Sequence, residues 1–239
     1  MADKQILRQE LGARFGGLWP ESGPADRPPL FPGLGRAAER LRRQPEYRRA
    51  GLVAVMPDPA LLQVRINALQ DGKTLIAATP GLKQGLVRIS PQDLPLPRRS
   101  RELRGGALAK AGRILRLPGA KLGKAGLVVG AVMAVDSRGL TLGDGRGLLD
   151  LFHALLEALG AITRATPLAV LAAEEQILPE LPGEPWDVGA DLVLTPERVL
   201  RPSEAARPAP ALDKLPPALA KLPLIKAALA SLARQAGKP

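Results

Sequence analysis

The stretch from Gly126 to Asp150 constrains the fold more than any other part of the chain. A valine-rich apolar segment, Leu127 to Val135, leads through a turn into a loop with glycines at 143, 145 and 147, and the loop opens into the apolar-periodic segment Leu148 to Leu159. Strand, glycine loop and helix in that order build an anion site. Glycine removes the Cβ that keeps backbone N–H groups from turning onto a ligand, and the helix start adds unpaired donors and the positive end of its dipole. Asp150 falls in the first helical turn, where a carboxylate can hold the divalent cation that accompanies a phosphate. A nucleotide-phosphate site is the first expectation. A Walker A loop is excluded, because Gly147 is followed by Leu148 and Leu149 rather than Lys-Ser/Thr. A dinucleotide fingerprint is excluded as well, because Leu148 occupies its sixth position.

The rest of the chain alternates in a way that fits such a loop. Ile6, Leu7, Leu11 and Phe15 recur at helical spacing over residues 3 to 15, which puts Lys4 and Arg8 on one side of the helix. On spacing alone, a solvated basic edge is the plainer reading of that pair. Residues 16 to 35 form a Gly/Pro loop, in which Gly33-Leu34-Gly35 lacks the preceding strand that a dinucleotide motif requires. A helix over Arg36 to Arg43, a strand over Gly51 to Met56, a helix over Pro59 to Leu69 and a strand over Thr74 to Ala78 follow. Further strands are expected at Leu168 to Ala172 and Leu192 to Thr195. This pattern predicts an α/β fold: a single three-layer, Rossmann-type domain over 1–200, with a mainly parallel sheet flanked by helices. Beyond it, 201–239 is Pro/Ala-rich, with a linker at 202 to 217 and a basic amphipathic helix at Ala218 to Ala233, interrupted at Pro223 and expected to dock on the domain.

Composition bounds the function. The net charge of +11 asks for polyanions, and aromatics at 3% disfavour base-stacking on single-stranded nucleic acid. Much of the charge lies at 95–124, where Arg98, Arg99, Arg101, Arg104, Lys110, Arg113, Arg116, Lys121 and Lys124 face Glu102 alone. Either a solvated basic loop or an electropositive loop attracting phosphates fits that stretch. The absence of cysteine excludes disulfides and thiolate metal sites, the apolar runs are too short to span a bilayer, and the N-terminus is charged. A soluble cytoplasmic protein is expected. Twenty-five prolines, arginine in preference to lysine and Asn67 as the lone asparagine fit a thermophilic source. His153, the single histidine, is read as a packing residue on its helix.

The pattern G-x-G-x-G-x-x-D, taken with its flanks, resembles the loop of the 5-formyltetrahydrofolate cyclo-ligase family, whose usual form is roughly R-L-G-x-G-x-G-Y-Y-D. Lys4 and Arg8, in DKQILRQEL, are similar to that family's opening K-x-x-x-R helix, and Trp186 to Pro196 resembles its closing H-D-V-P-L-D-hydrophobic-T-P segment. The middle of the chain is closer to a divergent branch of cyclo-ligase-like paralogues. The resemblance implies ATP- and Mg²⁺-dependent conversion of 5-formyltetrahydrofolate, or a related formylated or pterin-like compound, to 5,10-methenyltetrahydrofolate. It implies nucleotide binding by Lys4, Arg8, Gly143, Gly145, Arg146 and Gly147, catalysis by Arg146 and Asp150, metal binding by Asp150 and Asp187, and substrate contacts from Asp58 and Gln176. The chain departs from the pattern at Thr141, Asp144, Leu148, Leu149 and Trp186. A paralogue that binds nucleotide or folate without turnover, and a basic RNA-binding protein on the same scaffold, are the alternatives. A monomer or homodimer is expected.

Overall fold

The computed structural model describes residues 2–116, 120–203 and 221–236. The expected linker therefore lies almost wholly outside the described residues, as do residues 218–220 of the expected tail helix. Seven α-helices are described: α1 (Ala2–Leu18), α2 (Leu34–Arg42), α3 (Pro45–Arg49), α4 (Leu62–Gln70), α5 (Leu96–Glu102), α6 (Leu148–Ala158) and α7 (Pro223–Ala236).

The main sheet has eight strands in the order β11-β10-β8-β5-β1-β2-β3-β4. These are β1 (Leu52–Val55), β2 (Thr74–Ala78), β3 (Leu86–Ile89), β4 (Arg113–Leu115), β5 (Leu127–Ala131), β8 (Leu168–Leu171), β10 (Leu192–Leu194) and β11 (Val199–Leu200). The five central strands, β10, β8, β5, β1 and β2, pair parallel, and β3, β4 and β11 close the two edges antiparallel. Buried on both faces, the parallel strands carry unbroken apolar sequence such as LVAV and LVVGA rather than an alternating pattern. Helices α2 and α4 pack together over one set of strands, and α6 packs with α7. The fold is the expected α/β arrangement of a mainly parallel sheet flanked by helices.

The valine-rich run is not one strand. β5 ends at Ala131, and the chain passes into a second sheet of order β7-β6-β9, formed by β6 (Ala134–Asp136), β7 (Thr141–Leu142) and β9 (Ile177–Leu178). The Gln176 amide fixes the crossing by donating to the Val132 and Met133 carbonyls at 2.7 and 3.2 Å. A separate core of Leu11, Phe15, Met133, Ala134, Leu142 and Leu181 joins this small sheet to α1. Trp19 stacks on Phe15 with ring centroids 5.1 Å apart.

From Leu96 to Leu115 the basic stretch is folded rather than a loop. α5 buries Arg99, whose guanidinium donates to the Leu94 carbonyl at 2.9 Å, and β4 adds an edge strand beside β3. At the other end of the chain, Pro223 begins α7 instead of interrupting it, as its fixed φ and missing N–H allow at a helix start. Leu224, Ile225 and Ala228 join the main core. Replacing the fully buried Ile225 with alanine should lower the unfolding free energy by about 2–4 kcal/mol in a single cooperative denaturant transition. An unchanged transition midpoint would show that α7 contributes nothing to the core.

Candidate active site

The C-terminal ends of β1, β2 and β5 open onto a cleft of about 740 Å³. Met56 to Pro59 follow β1, Pro80 and Gly81 follow β2, and Ala131 ends β5, and all of them line it. From β1 the sheet grows one way to β2, and from β5 the other way to β8. The cleft therefore sits where the strand order reverses, the usual ligand position in an open parallel sheet.

Helix α1 and the glycine loop form one wall. Arg8 donates through Nε to the Gly143 carbonyl at 2.8 Å. Gly145 has φ +85°, and a Cβ there would come within 3.4 Å of the Arg8 guanidinium. Gly147, at φ 63°, caps the start of α6, and both torsions lie where only glycine rests without strain. Lys4 reaches across to Asp187 in a buried ion pair, and Asp187 also accepts the Glu184 N–H at 2.6 Å. The Val188 peptide is held at both ends. Its N–H donates to Asp150 at 2.9 Å, and its carbonyl accepts the Thr141 hydroxyl at 2.9 Å. Residues 186–188 are thereby clamped to both flanks of the glycine loop.

A model of the 5-formyltetrahydrofolate cyclo-ligase family matches residues 1–196. The chain belongs to that family. It is 32% identical over 188 residues to a methenyltetrahydrofolate synthase domain-containing protein of Bos taurus, covering 77% of this chain and 48% of that one. The human protein of the same name is 30% identical over 207 residues, 82% of this chain and 53% of its own length. This chain thus spans about half the length of these relatives. A 5-formyltetrahydrofolate cyclo-ligase of Mycolicibacterium smegmatis is 34% identical over 113 residues, 44% of this chain and 54% of that one. Among solved structures, a 5,10-methenyltetrahydrofolate synthetase of Aquifex aeolicus shares the fold, with a TM-score of 0.55 at 18% identity, over 85% of this chain and 95% of that one.

The cleft brings together Lys4, Arg8, Asp58, Gly143, Gly145, Arg146, Gly147, Asp150 and Asp187, from segments scattered along the sequence. Gln176 is elsewhere. It is 1% exposed, does not line the cleft, and spends its amide on Val132, Met133 and the Ala173 N–H, so its place is at the strand crossing, outside the cleft. Arg146 stands between Asp144 at 3.4 Å and Asp26 at 3.3 Å, while its N–H bonds Asp144 in a tight turn. No group of three or more metal-ligating side chains occurs among the described residues. A magnesium ion borne by a nucleotide needs only one or two carboxylates beside phosphate oxygens and water, and Asp150 with Asp187 fits that requirement.

Two residues of the cleft region carry no signal in the glycine-loop pattern. Arg65, on α4, is fully buried and donates to the carbonyls of Met56, Asp58 and Leu103 at 2.7, 3.1 and 2.9 Å. It ties the turn after β1 to the end of α5, and burial pushes its pKa down to about 10. An arginine on the apolar stripe of Leu61, Val64, Ala68 and Leu69 is the local sign of such a role. The other is Arg27, which enters from the loop at residues 19–33.

Burial pushes the Asp58 carboxyl up to about 6 against the opposing charge of Arg65, and Asp144 adds to the rise. Asp150 is pushed up to about 6 as well, first by burial and then by Asp187, with the Val188 N–H and Lys4 opposing. Because both folded values lie above the ordinary 3.8, the native state binds protons more tightly than the unfolded chain. This contribution is full below about pH 4 and lost as pH rises through about 6. Asp58→Asn should therefore be more stable than the native chain at pH 7.5 by on the order of 1–2 kcal/mol, with the difference vanishing at pH 4. A melting series across that range checks it, and an asparagine variant less stable at pH 7.5 would contradict it.

Proposed function

We propose that this chain is an ATP- and Mg²⁺-dependent 5-formyltetrahydrofolate cyclo-ligase of a divergent branch, acting in the cytoplasm on 5-formyltetrahydrofolate or a closely related formylated pterin. The observation that carries this reading is the convergence of Lys4, Arg8, the glycine loop, Asp150 and Asp187 on one cleft at the switch point of the sheet.

In the proposed reaction the formyl oxygen attacks the γ-phosphorus and ADP leaves. The second folate nitrogen then attacks the activated formyl carbon, a C–N bond forms, the C–O bond breaks, the nitrogen loses its proton, and inorganic phosphate departs. Phosphoryl transfer of this kind depends on alignment and charge neutralisation. The loop N–H groups and the start of α6 receive the phosphates, Arg8 fixes the loop through Gly143, and Asp58 meets the substrate beyond β1. Magnesium, held by Asp150 with Asp187, would supply charge neutralisation at the phosphoryl oxygens.

A specific observation favours a second reading, binding without turnover. Thr141 is committed to the Val188 carbonyl, and Asp144 adds a carboxylate to the phosphate loop. Formation of 5,10-methenyltetrahydrofolate, followed by its near-ultraviolet absorbance with Mg-ATP and 5-formyltetrahydrofolate, separates the two. Turnover is expected in the native chain, with loss of activity in Asp150→Ala. Arg8→Ala should cost on the order of 2–5 kcal/mol in kcat/KM for ATP, since it removes a partly buried cation beside the phosphates. Mg-ATP binding with no turnover would install the second reading, and binding of neither ligand would overturn both.

A further inference from the structure

For a phosphate site the cleft is poorly supplied with available charge. Five carboxylates line it against four cations. Three of the cations are engaged: Lys4 with Asp187, Arg8 with the Gly143 carbonyl, and Arg146 between Asp144 and Asp26. The fourth, Arg27, has no ion pair or side-chain hydrogen bond with any described residue. It is exposed at the lining of the cleft, and its charge favours the ionised form of Asp58.

The position of Arg27 is fixed from two sides, although it lies in a loop. Gly12 of α1 packs directly on the loop: a Cβ there would stand 2.3 Å from the Ala25 carbonyl oxygen. Gly12 is one turn beyond Arg8 on the same helical face, so the contact draws the loop alongside the helix that braces Gly143. On the other side, Asp26 pairs with Arg146 of the glycine loop at 3.3 Å. A turn closed by Arg27 N–H to the Pro24 carbonyl at 3.1 Å, and a bond from Leu30 N–H to the Ser22 carbonyl at 3.0 Å, set the local path. Buried Pro28 follows as part of the cleft wall. Arg27 is thus carried on the two elements that the proposed function assigns to the phosphates.

We infer that Arg27 is a phosphate-binding residue of this cleft, its guanidinium closing on the phosphoryl oxygens of a bound nucleoside triphosphate beside the glycine loop's N–H groups. A planar guanidinium with no internal partner matches two phosphate oxygens at once, and it adds to Arg8 the charge that Lys4 and Arg146 share with carboxylates. This inference rests on the cyclo-ligase reading above.

Calorimetric titrations of native, Arg27→Ala and Arg27→Lys protein with the Mg²⁺ complex of a non-hydrolysable ATP analogue test it, with 5-formyltetrahydrofolate titrated separately. Arg27→Ala should weaken the nucleotide about tenfold or more and leave folate affinity unchanged, while Arg27→Lys recovers part of the loss. The gap between native and Arg27→Ala should narrow as salt is raised, as it would not for a packing defect. Unchanged nucleotide affinity in Arg27→Ala would overturn the inference while leaving the cyclo-ligase reading in place. A loss confined to the folate would overturn it too and assign Arg27 to a substrate carboxylate. A native chain that binds no nucleotide would sink both.

Discussion

The buried pair of Lys4 and Asp187 joins residues 183 positions apart, and the geometry of the cleft depends on it. Through Lys4 the first turn of α1 is fixed to the closing segment, and through Arg8 the next turn is fixed to the glycine loop. Asp187 lies beside Asp150, which already resists ionisation, so Lys4 also offsets repulsion between the two carboxylates. Breaking a buried pair by removing one partner leaves an uncompensated charge, which costs about 3–5 kcal/mol. The N-terminal helix therefore works as a brace that holds a strand-end loop, a helix start and the closing segment in one arrangement.

That brace accounts for how the chain spends its charge. The protein as a whole is strongly basic, yet the cations of the cleft are largely matched by carboxylates. The long basic stretch is taken up elsewhere, in α5 and the edge strand β4, where Arg98 pairs with Glu102 and Arg99 is buried against a backbone carbonyl. It reaches the cleft only at Gly105 and Gly106. In the proposed reading, electrostatic support for the nucleotide comes from backbone donors, a bound cation, Arg8 and Arg27, more than from the general excess of positive charge.

Features that rest on local physics were legible in the sequence. Glycines at the loop, the helical period after Gly147 and the apolar strands each follow from neighbouring residues, and the parallel α/β architecture follows from their alternation. That Lys4 and Asp187 serve one site was implied only by the family pattern, and their ion pair was not legible at all, since no periodicity connects residues so far apart. The break after Ala131 was hidden because Val132, Met133 and Ala134 suit a strand on either side, and it is a distant side chain, Gln176, that bonds their carbonyls and decides the path. The same bonds place Gln176 outside the cleft. Arg27 was hidden for a different reason: a Gly/Pro loop has no period, and its placement depends on a glycine of α1 and an ion pair to residue 146.

The central claim is that this one cleft activates a formyl oxygen with ATP. The most direct measurement uses 5-formyltetrahydrofolate labelled with ¹⁸O in the formyl group and follows the label by ³¹P NMR. If the formyl oxygen attacks the γ-phosphorus and later leaves with it, the inorganic phosphate released must carry the ¹⁸O. Phosphate without the label, in a reaction that consumes ATP and yields 5,10-methenyltetrahydrofolate, would contradict the account.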